Sequence, residues 1–194
     1  MFIELTDHLR CTAEHPEGYL VLLPDTMDGR IVKTGVLGCP VCGREVPVTE
    51  GIPDFGGERP GETVCTLSAE AAHALLGLDG PGGYLALVGA AATLAEGLGA
   101  LLPGIRVVAV NPPPSVGDVP GISVVRGGRL PIKQAAMRGV VITADHARDP
   151  SWLAAAIGCV LPGLRAVVEG PVAEIAGVEV LAEAAGWWVG RVGR

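Results

Sequence analysis

Apolar residues follow two regimes along the chain. Up to Phe55 they come in short β-branched runs broken by Gly, Pro and acids, whereas from Ser68 onward strand-like runs alternate with alanine-rich stretches. In the first regime, residues 19–23 (YLVLL) and 30–34 (RIVKT) predict the two strands of a hairpin, with residues 24–29 (PDTMDG) as its turn. In the second, Ser68 is an N-cap and Gly77 a stop for a helix between them. The pattern then predicts strands over residues 84–88, 107–110, 122–125, 140–143, 166–169 and 187–192, and helices over 91–102, 151–160 and 178–185. Strands separated by helices imply an α/β, Rossmann-like, mainly parallel sheet with helices on both faces, joined by right-handed crossovers. Ligands of such sheets lie beyond the carboxyl ends of the strands, here around Gly89, Asn111 and Asp145. Residues 56–61 (GGERPG) carry no apolar period and read as a linker, giving a small β ribbon over residues 1–58 and a larger domain over 66–194.

Composition narrows the classes. With 49% hydrophobic and 18% charged residues the chain has ample apolar material for a core and is far from the disordered class. Residues 82–105 are apolar apart from Glu96 and Arg106 beyond them, but their Gly and Ala content and Pro103 suit a buried strand and helix, so no membrane span is expected. The start, Met1-Phe2-Ile3-Glu4, lacks the basic head and apolar core of a signal peptide, which points to the cytoplasm. The net charge of −7 is concentrated early: up to Glu62 there are 11 acids against 5 bases, and beyond it 10 against 9. An acidic ribbon is a poor grip for phosphate backbones and favours a protein partner or self-association.

Cysteine placement supplies the first chemistry. Cys39-Pro-Val-Cys42-Gly43 is a C-x-x-C knuckle, whose tight turn directs two thiolates at one metal. A reducing compartment favours metal over a disulfide. Upstream, Cys11 and His15 supply a thiolate and an imidazole, so a tetrahedral site of Cys11, His15, Cys39 and Cys42 holding zinc is the expected arrangement; Cys65 and His8 are the alternatives to His15, and a redox pair is the alternative to metal. Zinc would offset the small area that a sheet of this size can bury.

These residues carry a resemblance. The run LTDHLRC ending at Cys11, and residues 38–55 (GCPVCGREVPVTEGIPDF), resemble the small zinc-ribbon proteins that activate tRNA and protein methyltransferases. The resemblance implies zinc and a protein partner, since the run after the knuckle packs against a methyltransferase in that family. The departure is that only Cys11 and His15 stand where a second C-x-x-C is expected, which leaves the fourth ligand open.

Residues 68–194 resemble class I methyltransferases that use S-adenosylmethionine. The landmarks are a strand running into Gly89, a second ending at Asn111, Arg129-Leu-Pro-Ile132 before the fourth strand, Asp149-Pro-Ser-Trp-Leu153 in a helix, and Val160-Leu-Pro-Gly163 before the fifth strand. The usual last strand has no counterpart in the pattern. This resemblance implies a cofactor contacted at Gly89 and Asn111. It also shows erosion: Leu87 stands at an acidic position, Ala91 and Thr93 at two glycine positions, Asn111 where a carboxylate accepts the ribose hydroxyls, Gly128 and Arg129 ahead of Leu-Pro, and Arg138 at another acid. The expectation is therefore a non-catalytic, methyltransferase-like protein acting as a structural or regulatory subunit. The rival is an active S-adenosylmethionine-dependent methyltransferase with its activator fused to it.

Four further features belong to the sequence. Asp145-His146 could act as base and orienter, although a solvated loop capping the next helix is the simpler expectation. Arg126, Arg129, Lys133 and Arg138 form a basic run that could meet an acidic partner surface or RNA phosphates, or lie on a solvated face. Of Trp187 and Trp188, strand alternation directs one inward and one outward. Cys159, in an apolar helix, is expected to be buried.

Overall fold

The computed structural model describes residues 1–57, 61–116 and 121–193. After a 3₁₀ turn at Ile3–His8, four strands form an antiparallel sheet in sequential order: β1 Val21–Asp28, β2 Ile31–Gly38, β3 Glu45–Thr49 and β4 Ile52–Pro53. The larger unit comprises α1 Ala69–Leu76, β5 Tyr84–Val88, a 3₁₀ turn Gly89–Leu94, α2 Ala95–Leu101, β6 Arg106–Val110, β7 Ile122–Val125, β8 Met137–Ile142, α3 Ala144–Ala147, α4 Pro150–Gly158, β9 Val160–Glu169, β10 Val178–Ala184 and β11 Trp187–Val192. Its strands form one sheet in the order β10-β11-β9-β8-β5-β6-β7. Strands β5 to β9 run parallel, and the β10–β11 hairpin is antiparallel at one edge. The α/β, mainly parallel expectation is met, with the small antiparallel sheet before it.

Strict alternation explains the layering. In β5, Tyr84, Ala86 and Val88 enter one core while Leu85 and Leu87 enter the other, so the strand is buried on both faces. One core is closed by α1, the 3₁₀ turn Gly89–Leu94 and α2, through Ala72, Leu76, Leu94 and Leu98. The other is closed by α4, through Trp152, Ala156 and Ile157, and by the ribbon, through Leu5, Leu9, Val32, Leu37, Val46 and Val48. The ribbon's apolar side is therefore part of the core of the larger unit. Backbone bonds join the two as well: Phe55 N–H donates to Arg126 O (2.8 Å) and Arg126 N–H to Pro53 O (3.0 Å), placing β4 alongside the edge strand β7, while Lys133 N–H donates to His8 O (2.9 Å). Of the linker expected at residues 56–61, residues 58–60 lie outside the described residues.

Three expectations are corrected. Residues 178–185 form β10, not a helix: Ala185 (φ 51°) and Gly186 (φ 79°) make a two-residue turn that pairs Ala184 with Trp187. The strand thought missing is therefore present, and the sheet has seven strands. Trp187 and Trp188 are both buried, because the sheet is covered on both faces; Trp187 joins the α1–α2 core and Trp188 the ribbon-side core. In the ribbon, residues 24–28 continue β1, and the turn tightens to Gly29-Arg30, since Asp28 pairs with Ile31. Pro24 is tolerated because β1 is an edge strand with bulges on either side of Thr26. Among the described residues, no helix is long and apolar enough to cross a membrane.

Candidate metal centre and strand-end crevice

The Cys11, His15, Cys39 and Cys42 side chains converge, with their ligand atoms all within 4.8 Å of one another. Cys11 Sγ lies 3.7 Å from Cys42 Sγ, and Cys39 Sγ lies 3.3 Å from His15 Nε2. A tetrahedron with metal–sulfur bonds of about 2.3 Å has edges of about 3.8 Å, so the spacing suits one four-coordinate ion. Local structure sets it up. The knuckle closes with Gly43 N–H donating to Cys39 O (2.9 Å) and Cys39 N–H to Arg44 O (2.8 Å), with Gly43 at a φ of 72°. His15 Nδ1 donates to Pro16 O at 2.8 Å; a carbonyl only accepts, so this bond fixes the tautomer that leaves the Nε2 lone pair facing the thiols. Arg44 ties the loops together, donating to Thr12 Oγ1 (3.1 Å) and Phe55 O (2.8 Å).

The thiols differ in acidity. Burial tends to raise Cys39, but the Cys42 and Val41 backbone N–H groups and the neighbouring thiols outweigh it and bring the group down to about 7. Burial pushes Cys11 up, only partly offset by the Ala13 N–H. The other two candidate ligands stand elsewhere. His8 packs against the Tyr84 ring, with centroids 4.9 Å apart. Cys65 packs against the core closed by α1 and α2, with its thiol pushed up by burial. Cys159 is fully buried, donates to Ala156 O (3.0 Å) and is raised by burial to about 12.

The second region lies at the ends of β5, β6 and β8, where the strand order reverses about β5. Gly89 follows β5 with a φ of 69°, and a Cβ built there would meet the Asp145 carboxylate oxygens within 2.5 Å. That carboxylate is held from several sides: Thr143 Oγ1 donates to Oδ1 (2.6 Å), while the Ala90 N–H and the Thr63 hydroxyl donate to Oδ2 (each 3.3 Å). Burial works to raise Asp145, but the His146 and Thr143 contacts and the Ala90 N–H prevail, and the group sits below the ordinary carboxylate range. His146 Nδ1 is 3.4 Å from Asp145 Oδ2, without hydrogen-bond geometry.

Asn111, buried and at a φ of 49°, is committed to its own chain. Its Oδ1 accepts from Gly127 N–H (3.0 Å), its Nδ2 donates to Gly127 O (2.9 Å), and the same Nδ2 lies 3.1 Å from His146 Nε2. The His146 ring meets Trp152 edge-on at 4.6 Å. Asp145 and His146 are thus mostly enclosed members of a network, not the solvated loop expected. Leu87 lies in the α1–α2 core, and Ala90, Ala91 and Ala92 are buried.

Three of the four basic residues are engaged by the chain itself. Arg129 pairs with Glu14 (3.2 Å). Lys133 donates to Asp7 O and covers the Tyr19 ring, while Arg138 holds the carbonyls of Asp79, Gly80, Pro81 and Gly82. Sequence reasoning missed the Thr143 and Thr63 contacts to Asp145, for which no local pattern signals.

No family model matches the sequence, and no curated protein matches it. Solved structures are similar at low identity. One is the complex of the Haloferax volcanii Trm112 methyltransferase activator with a methyltransferase, at TM-score 0.41 and 20% identity over 52% of this chain and 50% of that one. Another is the antibiotic-resistance methyltransferase Kmr, at TM-score 0.44 and 14% identity over 69% of this chain and 97% of that one. A third is MycE methyltransferase of the mycinamycin biosynthetic pathway, with Mg and SAH, at TM-score 0.42 and 12% identity over 58% and 41%. The chain spans about half the length of the first of these. Likeness at this level concerns the arrangement of sheet and helices; nothing about cofactor, substrate or partner passes from those proteins to this one.

Proposed function

We propose that this chain is a non-catalytic, methyltransferase-like protein with a structural zinc in its ribbon, and that it serves as a structural or regulatory subunit for a protein partner. The observation that carries the reading is the Asp145 carboxylate lying against Gly89 and accepting from the Ala90 N–H. By the resemblance stated above, the turn after the leading strand is where the methionine end of S-adenosylmethionine would lie. Here a carboxylate of the chain itself fills that turn. Asn111, at the position where a ribose would be gripped, has both ends of its amide committed to Gly127. Admitting the cofactor would mean breaking several hydrogen bonds around a partly enclosed carboxylate, a cost of about 1–3 kcal/mol for each group left unpaired.

The donor set Cys11, His15, Cys39 and Cys42 fits zinc, and four protein ligands leave no open position for a reacting water, which is the pattern of a structural site. Support for a partner comes from the outer edge of the ribbon. Among the described residues, β1 has no strand paired to it on one side, and Tyr19, Val21, Leu23 and Met27 are 74%, 50%, 62% and 40% exposed.

Calorimetry of the zinc-loaded protein with S-adenosylmethionine tests the reading. No binding heat is expected up to about 1 mM ligand, and a micromolar dissociation constant would contradict it.

A further inference from the structure

A cavity of about 350 Å³ lies between the ribbon and α4, lined by Arg10, Arg129, Leu130, Ser151, Trp152 and Ala155. In a chain of net charge −7, this cavity has two guanidinium groups and no carboxylate in its wall. We propose that it binds the phosphate-monoester end of a small molecule, with the rest of that molecule against Trp152 and Ala155.

Three observations support this. First, Arg10 is fixed in advance: its backbone N–H donates to Pro131 O (3.0 Å) and its Nε to Leu130 O (3.4 Å), while neither Nη has a hydrogen-bond partner among the described residues. An anchored guanidinium with both terminal nitrogens free is arranged for a bidentate oxyanion. Second, among the described residues Arg129 is engaged only by Glu14, in a pair whose side chains are 61% and 85% exposed. Such exposed pairs contribute little, so a dianion facing both arginines can replace Glu14. Two guanidinium charges match a phosphate monoester better than a single carboxylate. Third, the rest of the lining apart from Ser151 is apolar, and the Trp152 indole is held in place by its edge contact with His146. Ser151 takes no part, because its hydroxyl and N–H are both held by Asp149. The volume suits a small molecule, not a polymer. The ribbon contributes Arg10 and the larger unit contributes Arg129 and Trp152, so the ligand would span their junction.

The test is a titration of the zinc-loaded full chain with inorganic phosphate and with phenyl phosphate, at ionic strength held constant with chloride. The indole N–H signal of Trp152 is followed by NMR. Saturable shifts with a dissociation constant of about 1 mM or tighter are expected, with phenyl phosphate the tighter ligand. R10Q and R129Q should each weaken binding at least about tenfold. R191Q, whose arginine pairs with Glu179 on the β10–β11 hairpin, should leave it unchanged. Arg129 is exposed, so R129Q remains informative even if R10Q disturbs the ribbon. A non-saturating response matching that to chloride, or R129Q binding as tightly as wild type, would overturn the proposal.

Discussion

Asp145 shows how a single side chain can close a crevice. Its carboxyl is largely enclosed, yet it stays ionised because Thr143, Ala90 and Thr63 all donate to it. The consequence for pH has a definite sign. A carboxyl held below its unfolded value of about 3.9 adds stability that is fully present above that pH and is lost as the pH falls through the lower folded value. Asp145→Asn should cost about 1–3 kcal/mol at neutral pH and flatten the acid limb of the stability profile, which urea unfolding across pH 3 to 7 would measure. An unchanged acid limb would show that Asp145 is not held as described. Strand alternation was enough to place Gly89, Asn111 and Asp145 together at the ends of β5, β6 and β8. That Asp145 folds back onto Gly89 was not legible, because the contact joins loops far apart in sequence. His146 was misread as solvated for the same reason, since its burial depends on Trp152 from the following helix.

Among elements, the β10–β11 hairpin separates what local pattern can and cannot say. The alanines and glutamates of Val178–Ala184 favour helix, and the turn residues Ala185-Gly186 lack the Asn or Asp that usually marks a tight hairpin. Pairing with β11, which is itself paired with β9, overrides that local preference. Ala185 bears the strain of a φ of 51°. Ala185→Asn should therefore stabilise the chain by about 0.5–1 kcal/mol, and Gly186→Val should destabilise it by about 1–2 kcal/mol, both read from thermal unfolding. Strands β5 to β7 were legible because each is a short apolar run bounded by turn residues, whereas only the second halves of β8 and β9 were, since Arg138-Gly139 and Pro162-Gly163 interrupt their first halves. The C-x-x-C spacing likewise announced half of the metal cluster, whereas the choice of His15 over His8 and Cys65 required the ribbon's three-dimensional path.

For the whole molecule, the governing feature is the core that the ribbon shares with the sheet. Leu5, Leu9 and Val48 lie in one cluster with Tyr84, Val108 and Ile132, so the ribbon and the larger unit should melt together. Chelating the metal, or the double change Cys39→Ser and Cys42→Ser, should lower the melting temperature of the entire chain in a single transition; scanning calorimetry showing an unaltered main transition would contradict this. Leu9→Ala, at a fully buried position that pairs with Ile132 across the junction, should cost about 2–5 kcal/mol on the same instrument. The sequence could not reveal this shared core, because a linker-like GGERPG stretch is compatible with tethered domains as well as packed ones. The central claim is that the strand-end crevice is filled from within. Its most direct test is the amide NMR spectrum of the zinc-loaded protein with excess S-adenosylmethionine. The Ala90 and Gly127 N–H signals and the Asn111 side-chain amide are expected to stay in place. Saturable movement of those three signals would show the crevice open to the cofactor and contradict that claim.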